Sequence, residues 1–175
     1  MEYIQSNVYD AVAALGGRTF DVVYTGKGAM CYLPDLDRWA GVVAGLLRAG
    51  GVSYVVEFHP LLYALSVVPP TEGSEELLLC HDFLGGRGRS SGTPPLPTPM
   101  GRRCRRRGSY EWMHGVGEVI NALTGAGLRI ERLRESERLP WRRWTSMTPA
   151  EGGWFRLRDS APRIPLMYAL LTRKH

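Results

Sequence analysis

The sequence predicts an α/β fold, and three observations carry that reading. Two short, continuous apolar runs, Phe20–Thr25 and Val52–Phe58, have the length and composition of strands. Between them Leu36, Trp39, Ala40, Val43, Leu46 and Leu47 recur at spacings of three and four, the stripe of an amphipathic helix. The crossover formed in this way has about the length a βαβ unit needs; such crossovers are right-handed and make their two strands parallel.

Each element has its own local chemistry. Because the two runs are continuous rather than alternating, they predict strands covered on both faces, as in a parallel sheet. The helix, expected over Leu36–Leu47, starts at Pro34-Asp35-Leu36-Asp37, where acid oxygens can accept the orphan N–H groups. Gly50-Gly51 then offers a left-handed exit, which glycine alone takes without a steric cost. His59-Pro60 closes the second strand. Further on, Val116, Val119, Ile120 and Leu123 mark a second helix that stops at Gly125-Ala126-Gly127. Leu128–Leu133 alternates apolar and charged residues, a half-exposed strand, and Pro165–Thr172 makes a final apolar strand.

Composition bounds the function classes. A chain of 175 residues, 44% hydrophobic and 22% charged, fits one domain over 1–175 and excludes a wholly disordered or collagen-like chain. Three cysteines far apart, Cys31, Cys80 and Cys104, argue against a disulfide framework or a metal site and fit a reducing, cytoplasmic compartment. Met1–Ser6 lacks a basic n-region, so no secretory signal is expected. The most apolar stretch, 52–68, is interrupted by Glu57, His59 and Pro60, so no membrane span is expected either.

The formal charge of +5 belongs to one segment. Leu84–Arg107 holds seven arginines and no acid, and the rest of the chain has 15 basic against 17 acidic residues. Rich in glycine and proline, 84–108 is expected to be a disordered insertion that cannot offset its ordering entropy by burial. Its run Arg102-Arg103-Cys104-Arg105-Arg106-Arg107 could neutralise phosphates, which would make the chain a non-catalytic polyanion-binding module. No aromatic stacking platform is interleaved with it, so a solvated loop is expected and a nucleic-acid partner is not. So abrupt a shift is also what out-of-frame translation of a G/C-rich gene produces.

Three clusters are candidates for chemistry. Thr25-Gly26-Lys27-Gly28-Ala29 follows a strand and contains G-x-G; it reads either as a tight turn or as a close backbone approach to a small ligand. A dinucleotide fingerprint would need a glycine where Cys31 stands. Glu57 and His59 lie two apart at the carboxyl end of the second strand, where His59 either serves as a base or merely turns the chain before Pro60. Tyr110, Trp112 and His114 alternate, so extended backbone would aim all three at one face, either of a substrate pocket or of a polar-edged core.

Taken together, Phe20-Asp21-Val22-Val23-Tyr24-Thr25-Gly26, Tyr32-Leu33-Pro34-Asp35, Leu46–Gly51 and Val55–Pro60 resemble the middle of a class I S-adenosylmethionine-dependent methyltransferase. Ser109–His114, Gly117-Glu118, Ala126-Gly127-Leu128 and Leu139-Pro140-Trp141-Arg142 are similar to the C-terminal half of small bacterial members. The resemblance covers about 8–60 and 108–175. It implies a Rossmann-like sheet in the order 3-2-1-4-5-7-6, mostly parallel with an antiparallel last strand. Phe20–Thr25, Val52–Phe58, Leu128–Leu133 and Pro165–Thr172 would be its fourth to seventh strands.

The resemblance also implies site roles. Asn7 and Val8 would contact the adenine of S-adenosylmethionine, with Asn7 where the family usually has aspartate. Thr25, Gly26, Gly28 and Ala29 would border its methionine moiety. Tyr110 and Trp112 would face a small-molecule methyl acceptor, and His59 or His114 would remove its proton. The family's first strand, with its glycine-rich cofactor turn, and its second, with a ribose-binding acid, have no counterpart here. The chain therefore resembles an N-terminally truncated methyltransferase, impaired or inactive alone, that begins at a remnant third strand, Tyr3–Ser6. It would leave Phe20–Thr25 as an exposed sheet edge through which a dimerising remnant would self-associate.

Overall fold

The apolar stripe of the sequence becomes α2 (Leu36–Leu46), whose first turn is capped by the Asp35 side chain accepting from the Arg38 N–H at 2.9 Å. The computed structural model describes residues 1–65, 77–84, 90–91 and 110–175. Trp39, Ala40 and Val43 drive one face of α2 into the core. The helix ends one residue earlier than its stripe, because Leu47 already has extended backbone and opens the next strand.

That strand, β2 (Leu47–Phe58), pairs in parallel with β1 (Phe20–Thr25). The register breaks between Phe20 and Val22, where β2 loops out at 48–51. Gly50 takes φ +75°, and a Cβ on Gly51 would lie 3.0 Å from the carbonyl oxygens of both Phe20 and Arg48, so a side chain there would have to push backbone aside. The two glycines therefore act inside the strand rather than as the exit from the helix.

Two further strands complete the main sheet. α4 (Val116–Gly125) is followed by β5 (Leu128–Ser136), and the chain ends in β9 (Met167–Lys174). The order is β1-β2-β9-β5, with β9 antiparallel to both of its neighbours, so the other three strands run the same way. This is the predicted α/β arrangement with an antiparallel last strand. α2 and α4 pack on one face and bury Trp39, Leu47, Val55, Val119, Leu123 and Leu170. Burying each large side chain of that kind contributes roughly 1.5–3 kcal/mol.

A second apolar cluster sits at the carboxyl end of β2. It joins α3 (Pro60–Ala64) to a small sheet in the order β6-β8-β7 (Arg138–Leu139, Trp154–Arg156, Thr148–Ala150) through Leu62, Leu139, Trp144, Met147 and Leu166.

Three expectations are corrected. Tyr3–Ser6 is not a strand, since among the described residues no ladder neighbour satisfies its backbone groups. The strands expected to be covered on both faces are so covered only at the carboxyl end of β2, where Val56 and Phe58 pack against the second cluster. Along β2 from Val52 onward the buried residues are Ser53, Val55 and Glu57, whereas Val22 and Tyr24 of β1 are each 57% exposed and Tyr54 is 42% exposed. The alternating Tyr110, Trp112 and His114 do not share a strand, because extended pairing stops after β4 (Tyr110–Glu111), which meets β3 (Ser90–Ser91). The insertion expected at 84–108, with its arginine run, lies outside the described residues apart from Leu84 and 90–91. No helix among the described residues is long and apolar enough to cross a membrane, and none of their side chains group as a metal site.

Candidate functional site

The carboxyl ends of β1 and β2 meet at Glu57. It is a buried acid in the apolar end of β2, after Val55 and Val56, and its carboxylate gathers four backbone N–H groups. Oε1 accepts from Gly28 at 2.6 Å and Phe58 at 2.7 Å; Oε2 accepts from Ala29 at 2.9 Å and Met30 at 3.1 Å. Gly28 lies at φ +75°, which turns these successive amides toward one point. The G-x-G turn is thus an anion cradle, and the chain's own acid fills it. On its outer side Lys27 places its Nζ 5.4 Å above the Trp154 ring, tying the turn to the small sheet.

Beside Glu57 lies a narrow, mostly apolar cleft lined by Met30, Cys31, Tyr63, Trp112, His114 and Tyr168, with room for about one water molecule. Its thiol and its two phenols are held in their neutral forms. Burial, with the charges of Glu111 and Glu57, pushes the Cys31 thiol up to about 11. Burial also raises the Tyr63 and Tyr168 hydroxyls above the usual phenol range, and Glu57 adds to both shifts. Neither the thiol nor these phenols ionises readily beside a fixed carboxylate.

The two candidate histidines are bound differently. His59 is buried; its Nδ1 accepts from the Leu61 N–H at 3.1 Å, capping α3, so its proton sits on Nε2 and is donated to Glu135 at 3.1 Å. Both nitrogens are engaged, and burial lowers its pKa against the opposing pull of Glu135. His114 lines the cleft. Its Nε2 lies 2.7 Å from the Leu33 carbonyl oxygen, which can only accept, so Nε2 carries the proton and Nδ1 of the neutral ring keeps its lone pair. Glu118 Oε2 lies 3.8 Å from Nδ1 and accepts from the Gly115 N–H.

The remaining candidates divide between two places. Trp112 and His114 line the cleft, Gly28 and Ala29 hold the Glu57 carboxylate beside it, and the Trp112 N–H donates to the Cys31 carbonyl at 2.8 Å. Thr25 ends β1, and Gly26 packs beside the Tyr24 ring. Asn7 and Val8 lie elsewhere, in an open hollow of about 560 Å³ lined also by Ile4, Ala11, Leu15 and Phe20. The Asn7 side chain accepts from the Tyr9 N–H at 3.0 Å and caps a short 3-10 turn. Tyr110 contributes backbone to β4, and its side chain lies outside the described set.

Sequence reasoning named Glu57 without its role and missed Met30, Cys31, Tyr63 and Tyr168. The available signal was the lone acid in Val55-Val56-Glu57-Phe58: a charge in a buried run needs partners.

No protein-family model and no curated sequence matches the chain. Solved structures do. A protein from Listeria monocytogenes assigned as an S-adenosylmethionine-dependent methyltransferase superposes with a TM-score of 0.64 at 19% identity, over 99% of this chain and 69% of that one. A methyltransferase of the same dependence from Mesorhizobium loti gives 0.55 at 18% identity, over 89% and 62%. Another from Clostridium acetobutylicum gives 0.51 at 9% identity, over 90% and 59%. The fold is that of the class I S-adenosylmethionine-dependent methyltransferases. The chain spans about three fifths to two thirds of these relatives' lengths.

Proposed function

We propose that the chain supplies the acceptor-side wall of an S-adenosylmethionine-dependent methyl-transfer site. The observation that carries this reading is His114: a base with a fixed tautomer, lining a cleft at the strand carboxyl ends of a methyltransferase fold. The cofactor, when bound, supplies a methyl group already activated on a sulfonium, so the protein's work is positioning and proton removal. His114 Nδ1 takes the acceptor's proton, with the ring held by Leu33. Trp112 and Tyr110 orient a small-molecule acceptor at the mouth of the cleft, which admits no more than its reacting group. His59 positions α3 rather than moving a proton, because both of its nitrogens are engaged.

The cofactor fits this chain along one wall. Thr25, Gly26, Gly28 and Ala29 border its methionine end, Gly28 and Ala29 as backbone surface, since their N–H groups belong to Glu57. Val8 and the Asn7 amide nitrogen remain for the adenine. Partners for the ribose and the cofactor carboxylate are not among these residues, so the 175-residue chain is expected to bind S-adenosylmethionine weakly or not at all.

The test joins the glycine-rich first βαβ unit of a related methyltransferase ahead of Met1 and measures binding by calorimetry. Micromolar affinity is expected. Asn7→Asp should tighten it by roughly 1–2 kcal/mol through a charge-assisted hydrogen bond. His114→Asn should leave cofactor affinity unchanged while slowing S-adenosylhomocysteine release, over a panel of small hydroxy and amino compounds, by about 10²–10⁴. A chimera that folds by circular dichroism yet binds no cofactor overturns the reading.

A further inference from the structure

We infer that the cleft beside Glu57 takes the ammonium head of a primary alkylamine, which makes such amines the acceptor class of this site. The inference rests on the methyl-transfer reading for its chemistry, but the binding it describes needs no cofactor.

Hydrogen-bond accounting points to a guest rich in donors. Three of the donors that line the cleft are spent inside the protein. Cys31 Sγ donates to the Gly28 carbonyl at 3.5 Å, the Tyr63 hydroxyl is bonded to the Cys31 sulfur, and the His114 Nε2–H goes to the Leu33 carbonyl at 2.7 Å. Acceptors remain, in the His114 Nδ1 lone pair and the Tyr63 oxygen. A primary ammonium brings three N–H donors and no acceptor, whereas a hydroxyl brings one donor.

The electrostatics has the matching sign. Among the described residues no lysine or arginine lines the cleft. Glu57 has given its lone pairs to four amides and acts on the cleft through its charge. The charge of Glu111 reaches it too, since both acids push the Cys31 thiol and the Tyr63 hydroxyl up. The nearby cations are engaged elsewhere. Arg143 donates to the Leu62 and Leu65 carbonyls and lies 5.2 Å from the Trp144 ring centre, and Lys27 sits over Trp154. An anionic guest is therefore repelled and a cationic one drawn in.

The walls fix the size of the guest. Phe58, Tyr63, Trp112 and Tyr168 supply aromatic surface, which suits both a cation and an alkyl stem. Their rings are braced: Phe58 stands edge-on to Tyr63 at 6.4 Å and to Trp141 at 4.9 Å, and Tyr168 stands edge-on to His59 at 6.2 Å. Room for about one water molecule admits an NH₃⁺ group and refuses a trimethylammonium head. Once seated, the ammonium passes one proton to His114 Nδ1. The N–H bond breaks, its electron pair stays on nitrogen as the nucleophilic lone pair, and the imidazole becomes an imidazolium.

The experiment titrates the 175-residue chain, without cofactor, with n-butylamine, n-butanol, butyrate and butyltrimethylammonium, and follows amide and indole N–H signals by NMR. n-Butylamine should shift the signals of Met30, Cys31, Glu57, Tyr63 and Trp112 and bind at least about tenfold more tightly than n-butanol. Butyrate and butyltrimethylammonium should leave those signals in place. Glu111→Gln should weaken amine binding several-fold without changing that of n-butanol, and Glu111→Asp should recover most of the loss. The inference is overturned by equal binding of amine and alcohol, by butyltrimethylammonium moving the same signals, or by an amine that moves none of them. It is also overturned by a Glu111→Gln chain that folds by circular dichroism and binds the amine as tightly as wild type. Amine selectivity without methyl transfer in the chimera would overturn the catalytic reading and leave this one standing. His114-dependent transfer to alcohols alone would do the reverse.

Discussion

Residues 53, 55 and 57 of β2 lie under helices, while 52 and 54, on the same strand, face outward. The covered set holds Ser53 and Glu57 beside Val55, whereas the outward set is Val52 and Tyr54, so residue type does not tell which face is covered; neighbours do. On the covered face Val55, Leu170 and Trp39 interlock, and the one carboxylate, Glu57, has four N–H partners. On the other face the same apolar chemistry meets open space. The contrast teaches that an apolar residue on a strand does not by itself tell which face is covered.

The largest test of the contrast uses two adjacent leucines of β9. Leu170→Ala removes a fully buried side chain and should cost about 2–5 kcal/mol in urea unfolding. Leu171→Ala, on the uncovered face, should cost less than about 1 kcal/mol. Equal losses would mean that the outer face is packed in solution.

Next comes the cradle. Glu57→Gln keeps the shape but turns an amide NH₂ toward backbone donors, and should cost about 1–3 kcal/mol. Hydrogen exchange should quicken most at residues 28–30; uniform quickening would show that Glu57 serves the whole fold rather than the turn.

The third test is a pH effect. Burial depresses the His59 pKa in the folded chain, so the unfolded chain binds the proton more readily. The stability this provides is complete above the ordinary histidine value of about 6.5 and is lost as pH falls from there through the folded pKa. His59→Gln should flatten unfolding free energy over that window; an unchanged slope would assign it to another group.

The smallest effect concerns two buried hydroxyls. Ser53 and Thr172 face each other across the covered side of β2 and β9, and neither hydroxyl has a partner among the described residues. Ser53→Ala with Thr172→Val should be neutral or stabilising by about 1 kcal/mol in thermal unfolding. A clear loss would mean that they are bonded in solution.

Elements with strong local signals were legible in the sequence. The stripe and acidic cap of α2 and the apolar runs of β1 and β2 located the sheet, and Gly125–Gly127 located the end of α4. The β6-β8-β7 sheet was not legible: its strands are two or three residues long and one contains Pro149, too short for any period to show. In the site, Trp112 and His114 were found because polar-edged aromatics stand out. Cys31, Tyr63 and Tyr168 come from three separate elements and meet only through tertiary packing, which spacing along the chain cannot record. His59 displayed the right chemistry in the right region, yet its nitrogens are claimed by Leu61 and Glu135, one of them 76 residues away.

The filled cradle at Gly28–Met30 also bears on speed. A loop that orders only when its ligand arrives slows association and loses part of the binding energy to its own ordering. Here Glu57 has set the backbone of residues 28–30 beforehand, so an incoming molecule meets a finished surface and encounter is limited by access to it. The same occupancy gives that surface a preference of sign. Phosphates and carboxylates, which such cradles ordinarily attract, find the amides taken and a negative group already seated, whereas a positively charged ligand finds a counter-charge waiting.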